Sequence, residues 1–443
     1  MKPRPDLPPG PYLIVGLARS GIAAALALRA RGEQVLGVDA GAPDGLELLA
    51  EAGVELHLRE QGVALLERVH TVVKSPGVPG HAAVIAQARS RGMSVIGELE
   101  LAWRLLPNEF IAITGTNGKT TTVELVGHIH REAGLAVAVA GNVGAALSGL
   151  DGRIDERVTI ACEASSFQLE DTLAFAPEAA VLLNLTPDHL DRHGTLDAYL
   201  AAKLEIFARQ ENEDLAVVPA EFQPEGMPGK ARRVSFGNDP DAQLSAREGM
   251  LYWQGRALLA SSELSLRGCH NLENAMAAAA VCLARGLDVE AVRTGLRSFA
   301  GVPHRLEHVA NREGVLFVND SKATNVASTL VALETMAAEH LPVHLILGGQ
   351  AKAQDFSALR GPVSAGCRAV YLIGEDANLI EQAMGGHQPS VQMCGDLDRA
   401  LSLAAAAAVQ GEVVLLSPGC ASFDQFADFE ARGECFRELV RQL

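Results

Sequence analysis

The chain has 443 residues, of which 48% are hydrophobic, 21% charged and 4% aromatic, and its formal net charge is −17. That length exceeds one core and points to about three domains of roughly 150 residues, while so acidic a surface argues against nucleic acid or an anionic membrane as partner. Seven cysteines without a Cys-x-x-Cys spacing, and no apolar run of about 18 residues, fit reduced thiols in a cytoplasmic protein with no membrane span.

Tyr12 to Gly16 reads as a short strand, Ser20 to Arg31 as an Ala/Leu-rich helix, and Gln34 to Asp39 and Thr71 to Lys74 as further strands. Strand–helix–strand alternation of this kind implies a parallel sheet. A second unit opens near Glu109 with the strand Phe110 to Thr114, followed by strands at 157–163 and 179–185. From about His304 the alternation restarts, with strands at 315–319, 344–347, 369–373 and 413–416. The low-complexity run Ala404 to Ala408 sits inside a helical pattern and reads as helix. The expected fold class is α/β in three domains: Rossmann-like over 1–108, a central P-loop ATPase domain over 109–303, and Rossmann-like again over 304–443.

Between the strand ending at Thr114 and the next helix stand Gly115-Thr116-Asn117-Gly118-Lys119-Thr120-Thr121. In that setting backbone N–H groups face phosphate oxygens and the helix dipole favours negative charge. Lys119 can reach the β/γ-phosphates and the Thr120 hydroxyl can ligate Mg²⁺. The general Walker spacing puts a glycine where Ile113 stands, so this is a shortened variant. A plain strand-to-helix turn with a surface lysine is the competing reading, and the ordered succession of strand, glycines, Lys and Thr disfavours it.

Other candidates divide more evenly. Gly16-Leu17-Ala18-Arg19-Ser20-Gly21 lacks the middle glycine of a dinucleotide fingerprint, although Asp39 ends the next strand where a ribose or base contact would fall. It is either a nucleotide site or tight strand–helix packing. Lys74-Ser75-Pro76-Gly77-Val78 follows a strand at the same carboxyl edge. Glu163 ends a central strand, as a metal ligand or as a solvated residue. Asp188-His189-Leu190-Asp191-Arg192-His193 is either a site or a charged loop. Asn271 either caps the Ala-rich helix Asn274 to Ala284 or contacts a base. Ser422 to Phe426 could simply start a helix, since Ser caps well.

Taken together these segments resemble the Mur ligase family, in its glutamate-adding branch, along the whole chain. The resemblance rests on the shortened loop, Gly141-Asn142-Val143-Gly144, Glu163 to Glu170, Asn184 to His193, His304-Arg305-Leu306-Glu307, Asn319 to Asn325 and Ser417 to Phe426. It implies an ATP-dependent, ADP-forming ligase of peptidoglycan precursor synthesis that joins D-glutamate to UDP-N-acetylmuramoyl-L-alanine through an acyl phosphate. ATP would be held by residues 115–121 with Asn271, Arg305, Asp320 and Lys322. The UDP substrate would meet Leu17, Ala18, Asp39, Ser75, Pro76, Gly77, Asn142, Ser165 and His189. The amino acid would meet Thr324, Lys352, Ser422, Phe423 and Phe429. Two Mg²⁺ ions are implied, on Thr120, Glu163, His189 and a carbamylated Lys203. Lys119, Glu163, His189, Lys203 and Arg305 are the implied catalytic set, and a monomer is the expected state. Gly348-Gly349-Gln350-Ala351-Lys352 lacks the acid and glycine that relatives often carry before the lysine, and Gly419 stands where alanine is common.

Three alternatives stand beside this: a Mur-type ligase for L-glutamate, a folylpolyglutamate synthase-like ligase, and a non-catalytic nucleotide-binding regulator. About a hundred residues precede the ATP loop, which disfavours the folate branch. The joint presence of Thr120, Glu163, His189 and Lys203 disfavours the regulator.

Overall fold

Three sheets organise the computed structural model, which describes residues 2–142, 145–222, 226–266, 268–351, 354–385 and 389–443. The first contains β1 (Tyr12–Val15), β2 (Val35–Asp39), β3 (Glu55–Leu58), β4 (Thr71–Lys74) and β5 (Ser94–Gly97), all parallel, in the order β3-β2-β1-β4-β5. β1 is an apolar run and β4 pairs two valines with a buried Thr71 and Lys74; both are buried on both faces, as central parallel strands must be. The order reverses beside β1, and the glycine turn after β1 and the Ser75–Val78 turn after β4 both lie there, at the carboxyl edge where α/β sheets bind ligands.

The second sheet runs β14-β13-β12-β11-β10-β9-β6-β8-β7. Its parallel part comprises β6 (Phe110–Thr114), β7 (Val137–Gly141), β8 (Thr159–Glu163), β9 (Ala179–Leu182), β10 (Leu215–Pro219), β11 (Arg232–Gly237) and β12 (Leu244–Arg247). Two antiparallel hairpins then add β13 (Met250–Trp253) and β14 (Arg256–Ala260). Each hairpin turns through two residues, Glu248-Gly249 and Gln254-Gly255, all at φ between 48 and 76°. That is the left-handed pair whose twist suits a tight hairpin.

The third sheet has the order β15-β16-β20-β17-β18-β19. β15 (Glu307–Arg312) is antiparallel to β16 (Val315–Asn319) across a third such turn, Glu313-Gly314. β16, β20 (Val413–Leu416), β17 (Val343–Gly348), β18 (Cys367–Ile373) and β19 (Ser390–Gly395) are parallel. By packing, residues 1–299 form one compact unit and 300–443 a second.

Within the first unit the two sheets are tied by polar contacts. The buried Glu100 carboxylate accepts from the N–H groups of Leu173, Ala174 and Phe175. Glu98, also buried, accepts the Ser148 N–H at 2.7 Å. Lys74 and Asp171 form an ion pair of 2.7 Å with both side chains almost fully enclosed. A buried pair of this kind fixes geometry more than it adds stability.

Candidate active site

The carboxyl end of β6 delivers the chain into the loop Gly115–Gly118, and the helix Lys119–Glu132 begins directly after it. Gly118 has φ +81°, and a Cβ there would lie 2.0 Å from Asn274 Oδ1, so only glycine fits. Asn184, just past β9, braces the loop. Its Oδ1 accepts from Thr116 N–H at 3.1 Å and Asn117 N–H at 2.9 Å, while its Nδ2 donates to Asn117 O at 3.2 Å. Lys119 Nζ curls back onto Gly115 O (3.0 Å) and Thr116 O (2.9 Å), which holds the ammonium over the loop.

Thr120 Oγ1 donates to Glu163 Oε2 at 2.8 Å, and Asn142 Nδ2 donates to Oε1 at 3.0 Å. Glu163 ends β8 beside β6 and is buried, so its carboxylate faces the loop and not solvent. Lys203, near the end of the helix Leu196–Leu204, is buried and donates to Gly115 O at 2.7 Å, with Nζ 4.4 Å from the Tyr199 ring centroid. Burial, reinforced by the nearby Lys119 charge, pushes its pKa down to about 7. A substantial share of this amine is therefore neutral and nucleophilic near neutral pH. His189 takes φ +51° and keeps a half-exposed ring beside Phe167, centroids 5.0 Å apart.

The oxygens of Thr120 and Glu163 are hard donors of the kind Mg²⁺ takes. A lysine amine is not, and joins such a set only after conversion to an anionic oxygen donor. Among the described residues no group of three His, Cys, Asp or Glu side chains is assembled for a metal.

In the first sheet Asp39 turns inward: its carboxylate accepts from Leu17 N–H at 2.7 Å and Gly41 N–H at 2.8 Å. Ser75 Oγ donates to Gly16 O at 2.7 Å, tying the two edge turns together. A Cβ on Gly21 would sit 1.9 Å from Gly16 O, so this glycine serves close helix–strand packing. Ala18 is the extended N-cap of the helix Arg19–Ala30 and offers no side-chain cap bond, so the helix's first N–H groups face outward.

The second unit places Arg305, Asp320 and Lys322 close to one another in sequence and fold. Asp320, after β16, accepts from Ser417 Oγ at 2.8 Å and Leu306 N–H at 3.2 Å. Burial raises its pKa to about 7, against the lowering effect of Ser417, Leu306 and Arg305. Lys322 Nζ lies 5.9 Å from the ring centroid of Phe429, the first residue of the helix Phe429–Gln442. Thr324 and Ser422 follow the neighbouring strands β16 and β20, Ser422 buried and Phe423 exposed. Lys352 lies outside the described residues.

Two local readings are corrected. Ser422 to Phe426 is a run of turns and not a helix start, the helix beginning at Phe429 with Asp428 as its N-cap. Asn271 is not a cap either: Gly268 is the N-cap, and Asn271 Oδ1 accepts from Asn274 Nδ2 at 3.3 Å inside the helix.

Comparison with known proteins decides the family. Residues 11–97 match the Mur ligase MurD-like N-terminal domain, 113–282 the Mur ligase middle domain, and 304–420 the Mur ligase glutamate ligase domain. Proteins named UDP-N-acetylmuramoylalanine–D-glutamate ligase from Acidobacterium capsulatum and Anaeromyxobacter dehalogenans are each 42% identical to this chain. The first alignment covers 97% of this chain and 95% of the relative, the second 99% of both. This chain is a Mur ligase. Its fold also matches solved members at lower identity. The UDP-N-acetylmuramate–alanine ligase MurC of Thermotoga maritima has TM-score 0.59 at 20% identity, covering 98% of this chain and 100% of that one. The MurF ligase of the same organism, solved with ADP, has TM-score 0.57 at 16% identity, covering 93% and 96%.

Two side chains of this Mur ligase that the sequence offered only as members of the Asp188 to His193 segment, His193 and Arg192, prove to have defined partners, and a third, Arg432, was not read at all. His193 is enclosed, with Nε2 3.0 Å from Ser166 Oγ and Nδ1 3.1 Å from Glu170, its ring stacked on Phe167 at 5.4 Å. Arg192 also lies over that ring, Cζ 3.7 Å from its centroid. Arg432 is fully buried in the second unit, donating to Ser321 Oγ (2.9 Å), Ser321 O (2.9 Å), Cys420 O (3.1 Å) and Ala421 O (3.4 Å). The Arg-His pair was visible in sequence beside His189. Nothing local distinguished Arg432 from the exposed arginines of an amphipathic helix.

Proposed function

We propose that this Mur ligase adds D-glutamate to UDP-N-acetylmuramoyl-L-alanine, with ATP converted to ADP and phosphate. Full-length similarity to the D-glutamate-adding relatives supports the substrates. The observation that carries the chemistry is the cluster of Lys119, Thr120, Glu163 and Lys203 around one phosphate loop. The reaction needs the alanyl carboxylate phosphorylated, then attacked by the amine of glutamate with phosphate leaving. Lys119 and the loop N–H groups stabilise charge on the transferring phosphoryl oxygens. Mg²⁺, when bound, neutralises the nucleotide's phosphates and acts as a Lewis acid on the transferred group.

Thr120 and Glu163 would hold one ion. His189 and Lys203 would serve a second, with Lys203 as a carbamate, which its lowered basicity favours because only a neutral amine captures CO₂. Arg305, Asp320 and Lys322 would complete nucleotide binding, with Asn271 near the base. Leu17, Ala18, Asp39, Ser75, Pro76, Gly77, Asn142, Ser165 and His189 would receive the UDP substrate; Thr324, Lys352, Ser422, Phe423 and Phe429 would receive the amino acid. The domain limits 1–108, 109–303 and 304–443, a monomeric state and a cytoplasmic location complete the reading; among the described residues no helix is long and apolar enough to cross a membrane.

The test is a mass-resolved assay with UDP-N-acetylmuramoyl-L-alanine, D-glutamate, ATP and Mg²⁺. The expected product is the UDP-linked dipeptide, formed one for one with ADP. ADP release without that product would reject the reading.

A further inference from the structure

The Ser75–Val78 turn after β4 is gripped from behind by two cations. Arg192 Nη1 donates to Pro76 O at 3.0 Å and Nη2 to Val78 O at 3.5 Å, while Lys74 Nζ donates to Val78 O at 3.0 Å. Lys74 is itself locked to Asp171, which also pairs with Arg89 at 2.9 Å. Arg192 belongs to the short helix Leu190–His193, which directly follows His189, and Phe167 packs against both residues. Glu170 lies 3.8 Å from its guanidinium.

The grip has a consequence for the turn's other face. In a planar trans peptide the C=O and the next N–H point to opposite sides. Drawing Pro76 C=O toward Arg192 therefore turns Gly77 N–H away from the protein. Gly77 is exposed, and a Cβ on it would meet nothing within 4 Å. Among the described residues its N–H has no backbone acceptor.

We propose that Arg192 is a positioning residue: reaching from the segment that carries His189, it orients the Pro76–Gly77 peptide so that its N–H meets the anionic part of the UDP substrate. The substrate turn and the His189 segment thereby move as one body. A guanidinium suits the task because its planar fork presents separate N–H donors at a fixed spacing to the two carbonyls, where an ammonium is a single point. The inference rests on assigning the UDP substrate to this edge.

The experiment compares wild type, Arg192→Lys and Arg192→Met by calorimetry with UDP-N-acetylmuramoyl-L-alanine and, separately, with Mg²⁺–ADP, alongside melting curves and steady-state kinetics. Arg192→Met should weaken the UDP substrate about tenfold or more, the scale of one lost charge-assisted hydrogen bond, with ADP affinity unchanged and KM for the UDP substrate rising in parallel. Arg192→Lys should fall between, as it keeps the charge and loses the fixed spacing of the two donors. Should Arg192→Met prove too unstable to assay, the lysine variant carries the test alone. Unchanged affinity for the UDP substrate in a folded variant overturns the proposal, as does an equal loss for both ligands. A wild-type enzyme that binds ADP and not the UDP substrate overturns the underlying assignment as well.

Discussion

Lys203 and Asp320 show how burial sets the chemistry of single residues. Lys203 shares Gly115 O with Lys119 and has its basicity lowered first by burial and then by that neighbouring charge. If it acts as a carbamate, Lys203→Ala should lose about a hundredfold or more of turnover, and short carboxylates such as formate or acetate should restore part of it. Full activity without additive, measured by ADP release, would remove Lys203 from the site. Asp320 shifts the other way, from 3.8 in an exposed carboxyl to about 7. Between those values the folded protein retains a proton that the unfolded chain has released, so stability falls as pH rises through the window. Asp320→Asn should therefore raise stability by on the order of 2–4 kcal/mol at pH 8, an advantage that vanishes below about pH 4. Melting curves across this range check it; a constant difference at all pH values would contradict the buried carboxylate.

At the level of elements, the sequence was most legible where a buried strand runs into a glycine turn. β1, β6, β9, β16 and β20 are short apolar runs, and burial on both faces leaves them no other pattern. The hairpins of β13 and β14 were missed because their strands are half exposed and mix Arg, Trp and Tyr with apolar residues. Their signal was in the turns, Glu248-Gly249 and Gln254-Gly255, pairs that tolerate positive φ. Within the candidate site, Lys119, Thr120 and Glu163 were legible because chain order fixes them at a loop and a neighbouring strand end. Arg192 was visible only as part of a polar segment and Arg432 not at all, because their partners are backbone carbonyls distant in sequence. The loop itself yields a sharp expectation. Gly118→Ala would need both a left-handed alanine and room where Asn274 Oδ1 lies 2.0 Å away. Displacing Asn274 and distorting the turn should cost about 1–3 kcal/mol of stability and weaken ATP binding about tenfold or more. Wild-type nucleotide affinity in this variant would show that the loop relaxes without loss of its phosphate-facing geometry.

At the scale of the whole molecule, three strand-end segments converge in the second unit, to which the amino-acid site is proposed to belong. Arg432 fastens Ser321, after β16, to Cys420 and Ala421, after β20, while Gln350, after β17, pairs with Ala421. Among the described residues no carboxylate forms an ion pair with this buried guanidinium, and burial brings its pKa down to about 10. The Asp424 charge acts against that lowering, and the four hydrogen bonds to Ser321, Cys420 and Ala421 hold the guanidinium as a clamp between the strand ends. Gly419 stands at φ +64°, a left-handed backbone that favours glycine, with Thr329 Oγ1 3.2 Å from its would-be Cβ. Ala351 N–H donates to the Asp376 carboxylate at 2.7 Å, so an acid from a different part of the chain braces the turn after β17. The proposed amino acid is a dicarboxylate, whose two charges need two anion sites. Offered at equal concentration, D-glutamate should exceed D-aspartate in kcat/KM by about 10–200-fold, the range set by one methylene, and should exceed L-glutamate and meso-diaminopimelate by more. Measured rates that place L-glutamate or the diamino acid first would defeat the assignment of D-glutamate while leaving the ligase chemistry intact.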